Sequence, residues 1–128
     1  MANTLFDKAR QRFLEAQINW LTDTIKVLLV STSAYTVNAS THEFLSDISG
    51  SARIAGPVTL TGKSTAGGAA DGADVTFTAV TGGAIGSIVI YIDTETEATS
   101  PLLAYLDTAT GLNSVSLYQV IDSNRLAA

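Results

Sequence analysis

Two short runs of this sequence could do chemistry. Y-x-D-T occurs at Tyr91-Ile92-Asp93-Thr94 and again at Tyr105-Leu106-Asp107-Thr108. Two carboxylates flanked by hydroxyls are what an acid–base couple or the oxygen shell of a hard cation requires. Whether the acids can meet depends on strand register. Pairing Tyr91 with Tyr105 in an antiparallel hairpin sets Ile90 against Leu106 and Ile92 against Ala104, an apolar face. That register puts Asp93 opposite Leu103 and Asp107 opposite Val89, so the acids lie roughly 13 Å apart at a rise of about 3.3 Å per residue. Calcium needs its oxygen ligands within about 2.6 Å, so one cation cannot reach both. The acids therefore read as strand ends, with two glutamates of ETEATSP at a solvent-exposed loop tip. The outer face carrying Tyr91 and Tyr105 becomes the place to look for a neighbour.

The other candidates are thinner. Triad-type nucleophilic catalysis needs a base beside a hydroxyl, and the single histidine, His42, has no sequence neighbour that completes such a set. Without cysteine, or a second histidine one helical turn away, it gives no zinc signature. Gly62-Lys63-Ser64 matches the end of a phosphate loop, but Pro57 stands where the first glycine is required. Gly67, Gly68 and Gly72 lie in an Ala/Ser/Thr-rich run and form no dinucleotide fingerprint. No catalytic residue, cofactor or metal ligand is expected, and the chain is not read as an enzyme.

The elements that would position these residues can be read from periodicity. Thr4 with Asp7 has the spacing of a capping box, and Phe6, Ala9, Phe13, Ala16 and Trp20 follow at spacings of three and four, predicting an amphipathic helix that ends between Gln17 and Trp20. Residues 25–32 (IKVLLVST) predict a buried strand. Ser40 with Glu43 offers a second box and a short helix before Ile48. Residues 52–60 contain Pro57, which confines them to an edge or bulged strand. Residues 63–71 (KSTAGGAAD) predict a mobile loop, and strands follow at 75–80, 85–93 and 102–108. The tail from Asn113 fits either a strand or a helical face. The fold class expected is α+β: an N-terminal amphipathic helix and one short helix on a mainly antiparallel small β-sandwich or half-barrel.

Length and composition bound the rest. The 128 residues suit a single domain (1–128), divided into a helical arm (1–20), a β-rich body (24–112) and a C-terminal tail (113–128). Apolar residues make up 46% of the chain and charged residues 15%, which favours a partner or oligomer to cover apolar surface. The seven basic residues are scattered and the net charge is −5, so no stripe exists to neutralise phosphates, and direct nucleic-acid binding is not expected. Charges at Asp7, Lys8, Arg10 and Arg12 interrupt the start, so it cannot be the apolar core of a signal peptide. No apolar run approaches the roughly 20 residues of a membrane helix. Synthesis in the cytoplasm, with no membrane partner, is the expectation.

Six pieces in order carry a resemblance. They are NWLTDTIKVLLV (19–30), YTVNASTHEFLSDI (35–48), LTGKST (60–65), DVTF (74–77), VIYIDT (89–94) and AYLDTATGL (104–112). Together they resemble a family of small structural proteins of the tailed-bacteriophage virion. Each piece alone is weak; with the helix that precedes them, the resemblance covers roughly residues 4–112. The resemblance implies a virion protein on the capsid exterior, a decoration or cement protein whose partner is the major capsid protein. It implies no catalytic residues. The sequence departs from the family after Leu112, where a glycine-containing turn and a tryptophan-bearing last strand are replaced by NSVSLYQVIDSNRLAA.

Three functions from different classes follow. A cement protein stabilises the head; a tail or baseplate component would be present in a handful of copies; a carbohydrate-binding module would need exposed loop aromatics, for which only Tyr35 and Tyr118 stand ready. A closed ring, a trimer, is the expected homo-oligomer. The interface candidates are Phe6, Phe13 and Trp20 on the helical stripe and Tyr91 and Tyr105 on the hairpin, because large aromatics dominate interfaces.

Overall fold

The computed structural model describes residues 4–67, 69–73, 75–78, 86–106 and 118–121. The chain runs β1 (Thr4–Leu5), α1 (Asp7–Leu14), β2 (Ile25–Val30), β3 (Arg53–Thr59), β4 (Ser64–Ala66), β5 (Ala69–Asp71), β6 (Val75–Thr78), β7 (Ser87–Ile92), β8 (Leu102–Leu106) and β9 (Tyr118–Ile121). Single 3₁₀ turns stand at Leu45–Asp47, Gly50–Ala52 and Glu97–Thr99. The α+β expectation holds: one α-helix accompanies an antiparallel five-stranded sheet of order β1-β8-β7-β2-β3, with β4-β5 and β6-β9 as separate pairs.

The central strands form because their residues suit a pleat covered on both sides. Ile25, Val27 and Leu29 of β2 stand beside Ile92, Ile90 and Ile88 of β7, and Ala104 and Leu106 of β8 continue that face. Leu28 beside Val89, with Tyr91 and Tyr105, makes the other. Every residue of β7 and β8 is buried. An unbroken apolar run is what a strand covered on both faces requires, and each fully buried Ile, Leu or Val is worth about 1.5–3 kcal/mol relative to exposure.

The two covers differ. On the tyrosine face lies a strap, residues 35–52, in which Tyr35, Leu45, Ile48 and Ala52 are buried. Tyr35 packs a tilted ring 6.3 Å from Tyr105. Leu45 N–H bonds Ser100 O at 2.9 Å, Leu102 N–H bonds Glu43 O at 2.8 Å, and Arg53 Nη2 reaches back to Ile48 O at 2.7 Å. At the β3 edge, Phe77 of β6 is buried against Gly56, so close that a Cβ on Gly56 would lie 2.8 Å from its Cε1. Pro57 does sit on an edge strand with irregular register, as its missing N–H demands.

Four expectations are corrected. The helical arm is shorter than its periodicity: α1 stops at Leu14, Phe6 is its N-cap residue with extended backbone, and Thr4 has joined the sheet opposite Tyr105. No Thr4–Asp7 capping box forms, because Thr4 Oγ1 turns to Leu5 O and Asp7 pairs with Arg10. The Ser40–Glu43 box is likewise absent. Asn38 Oδ1 instead accepts from the N–H groups of Ser40 and Thr41, and Asp47 Oδ2 accepts from those of Glu43 (2.7 Å) and Phe44 (3.0 Å), so a single 3₁₀ turn replaces the short helix. Residues 63–71 are a hairpin: Ser64↔Asp71 and Ala66↔Ala69 pair across a turn in which Gly67 takes φ +56.

The fourth correction is the register of the opening motif. Tyr105 faces Val89, not Tyr91, and Tyr91 faces Leu102, with an irregularity between Ile90 and Tyr91. The loop decides this. Ile92 N–H bonds Pro101 O at 2.9 Å, and Ser100 Oγ accepts from Thr94 N–H at 3.0 Å while donating to Thr96 O at 2.8 Å. A folded loop thus draws β8 along, and loop geometry fixes hairpin register. The slip at Tyr105 is two residues, so the isoleucines keep their face. Asp107 and Thr108, like residues 79–80, 85 and most of the tail, lie outside the described residues. Within the tail, residues 118–121 form β9, which pairs with β6.

Candidate interaction surface

The five interface candidates separate sharply by burial. Phe6 is wholly buried, its N–H bonded to Leu103 O at 3.1 Å, and Trp20 is buried as well. Tyr91 and Tyr105 are 2% and 3% exposed, because the strap covers the face read as outer. Within a single chain these four are core. Phe13 alone remains at the surface, 40% exposed, joined by two residues that periodicity did not single out: Leu14 at 89% and Leu21 at 52%. These three are the exposed large hydrophobics among the described residues, and all fall within residues 13–21.

The local structure explains their display. Leu14 ends α1, Glu15 caps it, and Ala16 turns into the left-handed region at φ +58. Ala16 N–H then reaches Phe13 O (3.2 Å) and Gln17 N–H reaches Arg12 O (2.8 Å), the paired bonds of a Schellman turn. Asn19 Oδ1 accepts from the N–H groups of Leu21 (3.1 Å) and Thr22 (3.3 Å), while Asp23 Oδ2 holds Asn19 N–H at 2.9 Å. The resulting turn pushes Leu21 outward. Lys63 Nζ fastens the turn by bonding Asp23 O. Beside the helix runs a polar cleft lined by Lys8, Gln11, Arg12, Glu15, Gln17 and Glu43. The Arg12 guanidinium lies 5.2 Å from the Phe44 ring centroid and 3.8 Å from Glu43, docking α1 on the strap.

The described residues with chemical potential are engaged in the fold. His42 Nδ1 accepts from Tyr35 O–H at 2.7 Å and from Asn38 N–H at 3.2 Å. Tyr35 is buried, so the pair ties the strap to the tyrosine face of the sheet. Burial, with help from Asp47 and Tyr105, pushes the Tyr35 hydroxyl well above its ordinary value. Burial also raises Tyr91 to about 12, with Asp93 adding to the effect. Burial works to raise Asp47, but the Glu43 and Phe44 N–H groups outweigh it, aided by His42, and hold the carboxyl below its usual range. Glu97, read as a loop-tip acid, pairs with Arg53. Among the described residues no group of three or more His, Asp or Glu is placed to hold a metal ion, and no helix is long and apolar enough to cross a membrane.

Asp93 is a strand-end acid with two partners. Its Oδ1 accepts from Glu95 N–H at 2.9 Å and its Oδ2 lies 3.0 Å from Lys26 Nζ. The Glu95 N–H and then the Lys26 ammonium lower its pKa. A carboxyl depressed in the fold adds stability above the unfolded value of about 3.9 and loses it as pH falls through the folded value. Asp93→Asn should therefore lower the melting temperature near neutrality, with the wild-type and variant curves converging in acid. Parallel curves from about pH 6 to pH 2 would contradict the linkage.

Comparison with known proteins adds no relative: no family model matches the chain, and no curated protein is significantly similar to it.

Proposed function

We propose that this chain is a structural protein of a tailed-bacteriophage virion, a capsid decoration or cement protein that binds the major capsid protein lattice and stabilises the head. The observation that carries the reading is the ordered set of six sequence pieces spanning residues 19–112. Supporting it is the exposure of Phe13, Leu14 and Leu21, all within residues 13–21. A protein that works by covering a lattice needs a rigid body and an apolar contact. The two-sided sheet supplies the first, and the end of α1 offers the second.

Copy number tests the reading. Quantitative mass spectrometry of purified virions should find this chain at an abundance comparable with the major capsid protein. A handful of copies per particle would favour a tail or baseplate component, and absence from virions would end the proposal. The contact has its own test. Leu14→Ser and Leu21→Ser should change chain stability by no more than about 0.5 kcal/mol, as surface substitutions do. The same pair should reduce retention on heads at least tenfold, measured by co-sedimentation with heads lacking the protein. Undiminished retention would move the contact elsewhere.

A further inference from the structure

The arm carries a conflict between its sequence and its shape. Phe6, Ala9, Phe13, Ala16 and Trp20 keep helical spacing through position 20, yet the helix breaks after Leu14. The break places an alanine, φ +58, in the Schellman position that glycine normally fills. Alanine is the best helix former and a poor left-handed residue. Nothing packs the break shut, since Glu15, Ala16 and Gln17 are all exposed. A strained, solvent-exposed break in a run of helical spacing is where the chain can most cheaply take a second backbone path.

What the hinge carries is detachable as a unit. Residues 4–9 are held by a two-residue edge strand on β8, by Phe6 N–H to Leu103 O, by Asp7 N–H to Ala39 O and by the buried Phe6 and Ala9 side chains. A second copy of the chain offers the identical edge and the identical site. We propose that the arm exchanges between copies. Residues 15–17 straighten into helix, and β1 with Phe6 of one copy occupies the β8 edge and Phe6 site of the next. Every contact of the arm is then kept, and the left-handed alanine is relieved. Head-to-tail exchange closes into rings. The inference rests on the hinge and not on the virion reading, and it is tested on the purified chain without capsid.

The chain has no cysteine, which makes the test clean. Leu5 pairs with Ala104, and because Phe6 N–H bonds Leu103 O, alternation makes this the close, non-hydrogen-bonded pair that a disulfide can bridge. The L5C/A104C double variant, oxidised at the concentration where the wild type is characterised by light scattering, should run on a non-reducing denaturing gel as covalent dimers and higher species. A product that is wholly linked monomer overturns the proposal, and so do thiols that stay free, since they deny the pairing itself. The hinge is read separately by size-exclusion with light scattering. Ala16→Gly, which accepts φ +58 and weakens the straight helix, should shift the chain toward monomer by roughly fivefold or more per hinge in the association constant. Association that ignores this substitution would overturn the hinge as its cause.

Discussion

Replacing Phe6 with alanine should cost about 3–5 kcal/mol, the range for deleting a fully buried phenylalanine. Phe6 has no exposed surface and sits at the joint of three elements: β1, α1 and β8. Its backbone N–H is tied to Leu103 O, and the next residue's N–H to Ala39 O of the strap. Removing the ring therefore leaves a cavity and loosens the attachment of the arm. Since a domain of this size is stable by about 5–15 kcal/mol, the variant should retain a native baseline but unfold at a much lower denaturant concentration. Hydrogen exchange at the Leu5 and Phe6 amides should accelerate more than at β7. A loss below about 1 kcal/mol would show that the arm is not part of the core.

The second large effect lies at the opposite edge of the sheet. Gly56 takes φ +95, and a Cβ there would stand 2.8 Å from Phe77 Cε1 and 2.9 Å from Val27 O. Gly56→Ala must meet both the backbone penalty of a positive φ and the overlap with a buried ring, together about 3 kcal/mol. The two parts can be separated. Phe77→Leu removes the ring but not the Val27 carbonyl, so in the double variant the alanine should be less harmful by at least about 0.5 kcal/mol. Strict additivity would mean that β6 does not press on β3 through Phe77. The outcome bears on architecture, because Phe77 is the described side chain that fastens the β6-β9 pair to the main sheet.

How much of this was legible in the sequence differs by element. Strands β2, β7 and β8 could be read from β-branched and apolar runs, because a sheet core needs those side chains whatever surrounds it. Pro57 announced an edge, because a missing N–H has one meaning in a sheet. Register was not legible: the bonds that set it belong to Thr94, Ser100 and Pro101, whose hydroxyls and carbonyl act only once the loop has folded. The tyrosine face was misjudged although a signal was present. SIVIYI in β7 does not alternate with polar residues, and that continuity implies two covered faces. The capping boxes failed because Ser, Thr, Asn and Asp compete for the same amides, and Asn38 and Asp47 held better positions than Ser40 and Glu43. At the arm the local pattern favours helix while tertiary contacts pull Phe6 one way and Trp20 another. Leu14 and Leu21 left no periodic trace, since an exposed leucine looks like any other.

The central claim, a virion structural protein on the capsid exterior, is tested most directly by a three-dimensional reconstruction of the intact head of the virion proposed to carry this chain. The account predicts density fitting the five-stranded sheet on the outer surface of the capsid lattice, at every equivalent lattice position, with residues 13–21 turned toward the major capsid protein or a neighbouring copy. A head whose outer surface is accounted for by the major capsid protein alone, with this chain found on the tail or nowhere in the particle, would contradict it.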